Sequence, residues 1–237
     1  MTKAIIIGAT SGIGRGLTSL LVEKGYAVAA TGRRIDMLEE LQKEHPSVLI
    51  KTMDINDCEA TITGLNELIA VLGGLDLLIL SSGIGNMNPT LEYDIEMRTP
   101  QTNVMGWTSI VVHIFKYFEQ QKSGHLVAIS SVAGLRGSRF APSYGATKAY
   151  QINFLEGLRQ KAGKLKTSVF VTDIRPGFVD TAMAQGAGIF WVASVEKASR
   201  QIFGAIRRKR KVAYVTKRWR IAAFVFRLIP RWLYDRA

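Results

Sequence analysis

Short apolar runs that alternate with longer segments of helical periodicity constrain the fold of this chain more than any other feature of its sequence. Continuous apolar runs of this length are typical of strands that are covered on both faces. Leucines recur at helical spacing between the runs, as at Leu17, Leu20 and Leu21. The alternation predicts an α/β fold with a doubly wound, mostly parallel sheet and helices on both faces. The runs that we assign to strands cover residues 4–8, 27–31, 48–53, 75–80, 125–130 and 167–174.

The length of 237 residues is enough for one sizeable α/β domain and too short for two. One cysteine, Cys58, excludes an internal disulfide and is typical of a reducing compartment. The first residues lack the apolar core of a signal peptide, and no run of about 18 uncharged apolar residues follows. We therefore expect a cytoplasmic protein without a membrane-spanning helix.

A glycine-rich turn follows the first run directly, at the edge of the sheet where ligands bind in doubly wound folds. Its glycines permit a tight turn and a close approach of backbone to phosphate, and the helix that it opens presents amides and the positive end of its dipole. An ordinary strand–helix turn is the alternative. The motif predicts a Rossmann-like dinucleotide site whose residues are Gly8, Thr10, Ser11, Gly12, Ile13 and Gly14.

Two arginines, Arg33 and Arg34, follow the second run, where a NAD enzyme usually has an acid for the ribose hydroxyls. A guanidinium instead offers planar, charge-assisted hydrogen bonds to a 2′-phosphate. Solvated arginines at a helix start are the alternative, but that placement is unfavourable for a cation. We therefore predict NADP (NADPH) as the cofactor. Asp54 and Ile55, after the third run, are candidates for the adenine, although Asp54 is equally suited to cap a helix.

Tyr144 and Lys148 stand four residues apart, so that on a helix they share one face. A tyrosine with its ordinary pKa of about 10 is a poor acid–base catalyst at neutral pH, and an adjacent ammonium moves that pKa towards the working range. Ser130 and Ser131 end the fifth run, where a hydroxyl can hydrogen-bond a substrate carbonyl. A surface helical pair and a strand-end turn are the alternatives for these residues.

Together these motifs resemble the short-chain dehydrogenase/reductase family over about residues 3–216, in the family's order and spacing. The resemblance implies a Rossmann-like sheet of seven strands. The resemblance implies that Tyr144 is the proton donor, that Lys148 holds the nicotinamide ribose and tunes Tyr144, and that Ser131, 13 residues before the tyrosine, orients the carbonyl. It also implies that Asn103 helps hold a water that relays protons to Lys148. Further cofactor contacts are implied for Ser82, Gly83, Pro176, Gly177, Val179 and Thr181.

One departure lies after the fourth run, where the family usually has Asn-Ala-Gly and this chain has Ser81-Ser82-Gly83. Because a serine makes fewer hydrogen bonds than an asparagine, we expect weaker bracing of the sheet there. The family takes its specificity from the segment after Thr181. Two glycines beside bulky apolar residues in 182–191 predict a mobile flap over an apolar group, unless Phe190 and Trp191 anchor the segment to the body or to a second subunit.

The leading hypothesis is therefore an NADPH-dependent ketone or aldehyde reductase, or alcohol dehydrogenase, with a small, apolar and lipid-like substrate. Reduction of a 3-oxoacyl group on an acidic carrier protein is a second enzyme hypothesis. A cofactor-binding regulator at a membrane, without turnover, is a third. We assign residues 1–216 to the dinucleotide-binding catalytic domain and residues 217–237 to a basic amphipathic extension of it. The family implies a homodimer or homotetramer.

The whole net charge of +12 lies in the last 41 residues, which hold 13 Lys and Arg and one acid. On a helical wheel from Trp219 to Leu233, arginines such as Arg220 and Arg227 lie opposite an apolar side. This segment either packs on the body or a second subunit, or lies on an anionic membrane surface. Nucleic acid is not an expected partner, because no nucleic-acid module accompanies the basic run at 207–211. Three scattered histidines predict no metal site.

Overall fold

The computed structural model describes residues 1–183 and 190–236. Its strands form one sheet, in which every described pairing is parallel. The strands are β1 (Lys3–Ile7), β2 (Ala27–Gly32), β3 (Leu49–Thr52), β4 (Leu77–Leu80), β5 (Ser123–Ile129), β6 (Ser168–Pro176) and β7 (Val212–Val215). Their order is β3-β2-β1-β4-β5-β6-β7. The predicted fold is confirmed, and the sheet is fully rather than mostly parallel; β7 is the strand for which no run was singled out.

Helices cover both faces of this sheet. They are α1 (Gly12–Glu23), α2 (Ile35–Glu44), α3 (Cys58–Leu72), α4 (Tyr93–Pro100), α5 (Trp107–Gln121), α6 (Pro142–Lys164), α7 (Val195–Arg207), α8 (Trp219–Leu228) and α9 (Arg231–Tyr234). Because successive strand residues point to opposite faces, Ile5 and Ile7 of β1 join the core under α3, α5 and α6, while Ala4 and Ile6 join the core under α1, α2 and α7. Burial on both faces explains why the strands read as continuous apolar runs.

The C-terminal segment 217–236 packs on the carboxyl edge of the sheet. Trp219 is only 2% exposed and lies against Gly177, where an added Cβ would come within 2.0 Å of the indole. Arg136 donates to the carbonyl of Ile229 at 3.0 Å, and its guanidinium lies 4.2 Å from the centroid of the Tyr234 ring. Of the two alternatives for this segment, contact with the body is therefore realised.

The segment is not one amphipathic helix from Trp219 to Leu233, as the helical wheel assumed. The helix α8 ends at Leu228 and α9 begins at Arg231. Pro230 separates them, because a proline has no N–H to continue the helical hydrogen bonds. Within residues 1–183 and 190–236, no helix is long and apolar enough to span a membrane.

Candidate active site

A cleft of about 1220 Å³ opens where the carboxyl ends of the strands meet. This is larger than the roughly 300–1,000 Å³ of a typical small-molecule site, so it has room for a dinucleotide and a second molecule. All the site residues predicted from the sequence line this cleft except Gly14 and Asn103. The sheet topology thus brings together residues from the ends of six strands that are far apart in the sequence.

The glycine turn has the backbone geometry that the motif predicts. Gly8 has a φ of +88°, in the left-handed region that favours glycine. At Gly14 an added Cβ would lie 2.0 Å from the carbonyl oxygen of Gly8, so only glycine allows α1 to begin this close to β1. Ser11, at the N-cap, makes no side-chain cap bond, and the first turn of α1 holds no acid. The N-terminal amides of α1 are therefore available for an anion.

Arg34 connects the end of β2 to this turn. Its Nη2 donates to the hydroxyl of Thr10 at 2.7 Å and to that of Ser11 at 2.9 Å. Arg33 is exposed and also lines the cleft. Neither arginine has an acid for a partner within the described part of the chain. A guanidinium held beside a phosphate-binding turn fits an additional phosphate on the ribose.

The helix cap proposed as an alternative for Asp54 is formed by another residue. The carboxylate of Asp57 accepts from the backbone N–H of Ala60 at 3.0 Å and caps α3. Asp54 accepts from the N–H of Asn56 at 3.0 Å and is exposed towards the cleft, and Ile55 beside it is buried. The geometry leaves Asp54 and Ile55 where an adenine ring would meet the end of β3.

Tyr144 and Lys148 lie on the first turns of α6, and the Lys148 Nζ is 5.7 Å from the centroid of the Tyr144 ring. The ammonium donates to the carbonyl of Ile129 at 3.1 Å and to the side-chain oxygen of Gln151 at 3.0 Å. Burial lowers the pKa of Lys148 to about 8, opposed by the charge of Asp173. Burial raises the pKa of Tyr144 above its usual value, which is opposite to the downward shift expected from the adjacent ammonium, so the phenol keeps its proton at neutral pH.

Of the two adjacent serines, Ser131 is the one beside the phenol. Its hydroxyl opposes the effect of burial and lowers the pKa of Tyr144. Its oxygen also accepts from the backbone N–H of Ala133 at 3.1 Å, at the start of a 3₁₀ turn (Val132–Leu135). The Ser130 hydroxyl instead donates to the buried carboxylate of Asp173. The Ser130 hydroxyl is thus bonded within the sheet, whereas the Ser131 hydroxyl lies beside Tyr144.

A proline in α4 fixes the start of α6. Pro100 has no N–H to donate to the carbonyl of Glu96, four residues earlier. The hydroxyl of Ser143 lies 3.0 Å from that carbonyl oxygen and shares its one proton between it and the Glu96 carboxylate. The Glu96 carboxylate accepts from both the hydroxyl and the backbone N–H of Ser143, and the pKa of Glu96 is lowered chiefly by the Ser143 hydroxyl. This contact was not predicted from the sequence. It holds Ser143, the residue before Tyr144, against α4.

Asn103 lies behind the cleft, in a π-helical turn (Gln101–Gly106) that joins α4 to α5. Its side chain accepts from the N–H of Ile84 at 2.9 Å and donates to the Ile84 carbonyl at 2.7 Å. Its backbone oxygen accepts from Nε2 of Gln151 at 2.8 Å. Gln151, which was not among the predicted residues, thus bridges Lys148 and the Asn103 carbonyl directly.

The departure at Ser81-Ser82-Gly83 leaves the strand end in place. Ser81 donates its backbone N–H to the carbonyl of Ile7 at 2.8 Å. At Gly83 an added Cβ would lie 3.2 Å from the Asn103 side chain and 3.5 Å from the Lys148 Nζ. Gly85, which sequence reasoning did not single out, packs so closely on the Tyr144 ring that a Cβ would come within 2.5 Å of it. Small residues here allow the loop to cover the catalytic side chains.

The other wall of the cleft is aromatic. Phe190 packs on Trp219, with ring centroids 5.2 Å apart, and on Phe178 at 5.8 Å. Trp191 lies 5.7 Å from Trp219. These contacts agree with the alternative in which Phe190 and Trp191 anchor their segment to the body of the protein. The predicted flap lies mostly in residues 184–189, outside the described residues.

Among the described residues, no group of three or more His, Cys, Asp or Glu is arranged to hold a metal ion. His125 is buried and paired with the hydroxyl of Thr172 at 2.7 Å. Burial, helped by Lys209, lowers the pKa of His125 to about 4, so the ring stays neutral. These contacts lie at the opposite end of β5 from the cleft, and this histidine therefore belongs to the core.

Comparison with known proteins finds a family and a fold. A family model described as short chain dehydrogenase matches residues 2–189. An uncharacterized oxidoreductase of Myxococcus xanthus is 34% identical over 186 residues, which cover 76% of this chain and 73% of that protein. A probable NADP-dependent dehydrogenase of Haemophilus influenzae is 32% identical over 180 residues, covering 74% and 71%.

Solved structures agree in fold. A short chain dehydrogenase from Burkholderia cenocepacia in complex with NADP superposes with a TM-score of 0.85 at 21% identity, covering 99% of this chain and 96% of that one. The apo form of LigD from Sphingobium sp. superposes with a TM-score of 0.82 at 24% identity, covering 95% and 94%. At this identity the likeness extends to the fold.

Proposed function

This chain belongs to the short-chain dehydrogenase family of oxidoreductases, and we propose that it is an NADPH-dependent carbonyl reductase for small molecules with an apolar part. One observation carries the proposal: Ser131, Tyr144 and Lys148 line the same cleft as the glycine turn and Arg34. The named dehydrogenase relative is described as NADP-dependent, and one structural neighbour contains NADP.

The residues of the cleft fit NADPH. The uncapped N-terminus of α1 and its glycine turn suit the pyrophosphate, and Arg34 suits the 2′-phosphate. Asp54 and Ile55 would hold the adenine. Gly83, Pro176, Gly177, Val179 and Thr181 also line the cleft, and the nicotinamide would lie in its part beside Gly83 and Lys148. NADPH, when bound, supplies the hydride that a carbonyl carbon receives.

Each polar side chain then has a separate task at the carbonyl oxygen. Tyr144, whose pKa is raised by burial, is protonated at neutral pH and donates its proton to that oxygen. Ser131 donates a hydrogen bond that orients the oxygen and shares its developing charge. Lys148 stabilises the phenolate that Tyr144 becomes, because an ammonium one helical turn away favours the charged form. Asn103 acts through the position of the loop at Ile84 and of Gln151.

The aromatic wall is the argument for an apolar substrate. Phe178, Phe190, Trp219 and Phe226 all line the cleft. Aromatic side chains offer large apolar contact areas with few directional demands. They favour a ketone or aldehyde that carries an alkyl or aryl group, in the manner of a lipid, and their shape tolerates several such groups.

The test is NADPH oxidation over a panel of ketones and aldehydes, for the native protein and for Tyr144→Phe. We expect turnover of the more apolar carbonyls and a loss of kcat of about 10²–10⁴-fold in the variant, because its proton donor is gone. Fluorescence titration should give the same Kd for NADPH in both proteins. Tight NADPH binding without turnover of any carbonyl would favour the regulator hypothesis instead.

The hypothesis of a 3-oxoacyl carrier substrate is tested in the same panel. One result would favour this hypothesis: a 3-oxoacyl thioester is preferred over free ketones of the same chain length, and only when it is attached to an acidic carrier protein. The predicted homodimer or homotetramer, and the boundary at residue 216, remain predictions. Analytical ultracentrifugation of the native protein measures the first.

A further inference from the structure

Helix α8 is apolar on two opposite sides. Its inner side, with Trp219 and Ala223, is buried against the body. Its outer side, which we call the outer stripe, is formed by Ile221, Phe224, Val225 and Leu228 at spacings of three and four residues. These four side chains are 68%, 64%, 48% and 64% exposed. A helix that is apolar on both sides is normally covered on both, so the outer stripe needs an occupant.

The next helix enlarges this surface. In α9, Trp232 is 64% exposed and Leu233 is 48% exposed. With the outer stripe they make six exposed apolar side chains within thirteen residues of sequence. A patch of this kind, with a tryptophan at its edge, is typical of a site that contacts a membrane or a partner.

Positive charge surrounds the outer stripe. Residues 217–236 contain six basic residues and one acid, Asp235. Arg220 and Arg227, seven residues apart, lie along one flank of α8, and Arg231 follows at the start of α9; all three are exposed. None of the three forms an ion pair within the described ranges, 1–183 and 190–236. Arginines beside an exposed apolar stripe complement an anionic lipid surface, which takes up both.

A second copy of this chain fits the same surface less well. In a twofold pairing the same patch meets itself. Arg220, Arg227 and Arg231 would then approach the same arginines of the other copy, with only Asp235 available to compensate. An anionic bilayer has no such conflict, because its headgroups are of the opposite sign and its acyl chains accept the outer stripe.

We propose that the outer stripe of α8, together with Trp232 and Leu233, docks on an anionic membrane surface. The opposite side of the same segment lines the cleft through Trp219, Phe226 and Tyr234. Docking therefore brings the apolar wall of the cleft close to the lipid. The docking proposal does not depend on reductase activity. The delivery of a lipophilic carbonyl from the membrane to the cleft rests on the proposed function.

Co-sedimentation with vesicles tests the docking. The probes are vesicles of phosphatidylcholine alone and of equal parts phosphatidylcholine and phosphatidylglycerol. We expect the native protein to bind the second kind and Phe224→Ser/Leu228→Ser to bind at least tenfold more weakly, since each replacement removes a large apolar side chain from the lipid contact. Arg220→Ala/Arg227→Ala should weaken binding by roughly fivefold per arginine on the anionic vesicles.

The control is Val71→Ser, which removes a side chain that is 69% exposed on α3. It should bind vesicles as the native protein does. Unfolding midpoints of all variants establish that they are folded, as expected for exposed positions. Equal vesicle binding by the native protein and Phe224→Ser/Leu228→Ser would overturn the proposal. So would a lower oligomeric mass of that variant without vesicles, because the outer stripe would then be covered by a second copy.

Gln151, on α6, is fully buried and contacts both Lys148 and Asn103. Its side-chain oxygen accepts from the Lys148 ammonium at 3.0 Å, and its Nε2 donates to the Asn103 carbonyl at 2.8 Å. The π-helical turn makes that carbonyl accessible, because Trp107 donates its N–H to Thr102 and not to Asn103. We infer that Gln151 is a positioning residue that holds the Lys148 ammonium at a fixed distance from the π-helical turn.

The inference explains how the ammonium is oriented. Lys148 has three N–H donors. One is held by the carbonyl of Ile129 and one by Gln151, which leaves one for a group in the cleft. The titratable groups around this ammonium are Tyr144 on its own helix and Asp173 on β6, and the latter pairs with Arg175 at 2.6 Å. Gln151 thus adds a neutral acceptor next to an ammonium whose charge burial disfavours and Asp173 favours.

Two substitutions separate hydrogen bonding from space filling. Gln151→Met fills the space without an acceptor, and Gln151→Ala opens room for a water between Lys148 and Asn103. We expect a loss of kcat of about tenfold or more in the methionine variant, from the loss of a hydrogen bond to a charged group, and a smaller loss in the alanine variant. The alkaline limb of the pH profile should move to lower pH in the methionine variant only.

A purely structural role predicts the opposite order, with alanine worse than methionine because of its cavity. That order, or equal pH profiles for all three proteins, would contradict the inference while the native activity stands. This inference rests on the proposed function, because its test measures the kcat and the pH profile of carbonyl reduction. A native protein without any carbonyl turnover would be a failure of the proposed function, and lysine acetylation rates at Lys148 would then report its environment.

Discussion

The two walls of the cleft are built on different physical principles. On one wall Ser131, Tyr144 and Lys148 are placed by hydrogen bonds and by buried partners such as Gln151. On the other wall the rings of Phe178, Phe190 and Trp219 pack on one another, and the contacts between them are edge-to-face or tilted. Hydrogen bonds fix the position and protonation of a group, whereas packing fixes only shape. Under the proposed function, the first wall would therefore specify the reaction and the second wall the class of substrate.

The largest effect should come from the polar wall, through Lys148→Met. We expect kcat to fall by about 10²–10⁴-fold, because the phenolate loses its ammonium. Steady-state NADPH oxidation with a ketone from the panel measures this. Lys161→Met, an exposed lysine on the same helix, is the matched control and should leave kcat unchanged. A loss below tenfold would mean that Tyr144 does not depend on this ammonium.

The next effect concerns the cofactor end of the polar wall. Arg34→Ala should raise the Kd of NADPH by about 10–100-fold, the value of a charge-assisted contact, and hardly change that of NADH. The exposed Arg33→Ala is the comparison and should have the smaller effect, since only Arg34 is fixed on Thr10 and Ser11. Fluorescence titration gives all four constants. Equal losses for NADPH and NADH in Arg34→Ala would show that the 2′-phosphate is held elsewhere.

The apolar wall should respond in KM. In Phe226→Ala we expect the KM of a long alkyl ketone to rise by about tenfold, which is within the 1–3 kcal/mol that apolar pocket contacts contribute. The kcat for a small ketone should not change. Phe224→Ala is the matched control, because Phe224 lies on the outer side of the same helix, away from the cleft. If both variants change KM alike, the aromatic wall does not select the substrate.

The smallest effect is a pH dependence of the native protein. The pKa of Lys148 is lowered by burial to about 8, so its charge is present below that pH and lost above it. The pKa of Tyr144 is raised, which keeps the proton donor loaded over the same range. We therefore expect kcat/KM for carbonyl reduction to be level near neutrality and to halve near pH 8. A profile that stays level to pH 10 would show that Lys148 does not lose its charge near pH 8.

The sheet and the glycine turn could be predicted from the sequence because their signals are local. A short, β-branched apolar run bounded by glycine or serine indicates a buried strand without reference to distant residues. Gly14 needs only the adjacent turn to explain it, since its missing Cβ faces the carbonyl of Gly8. Spacing alone placed Tyr144 and Lys148 on one helix face. The seventh strand, Val212–Val215, was not singled out, because it directly follows the basic run at 207–211.

The contacts behind the site could not be predicted, because each joins residues distant in the sequence. The Glu96 carbonyl meets Ser143 across 47 positions, and Gln151 meets Asn103 across 48. Pro100 was a signal for the former, since it leaves a carbonyl without its helical donor. A helical wheel of the C-terminal segment shows apolar sides but not which of them the body covers. The covered side is the one that carries Trp219, which packs on Gly177, where an added Cβ would come within 2.0 Å of the indole.

Transfer of an isotope label tests the central claim most directly. NADPH that carries deuterium at the reactive nicotinamide carbon is incubated with the protein and an apolar ketone, and the alcohol is analysed by mass spectrometry. The account predicts one deuterium on the carbinol carbon with the native protein and Phe224→Ala, and a rate lower by about 10²–10⁴-fold with Tyr144→Phe. Labelled alcohol formed at the native rate by Tyr144→Phe would contradict the role of the polar wall.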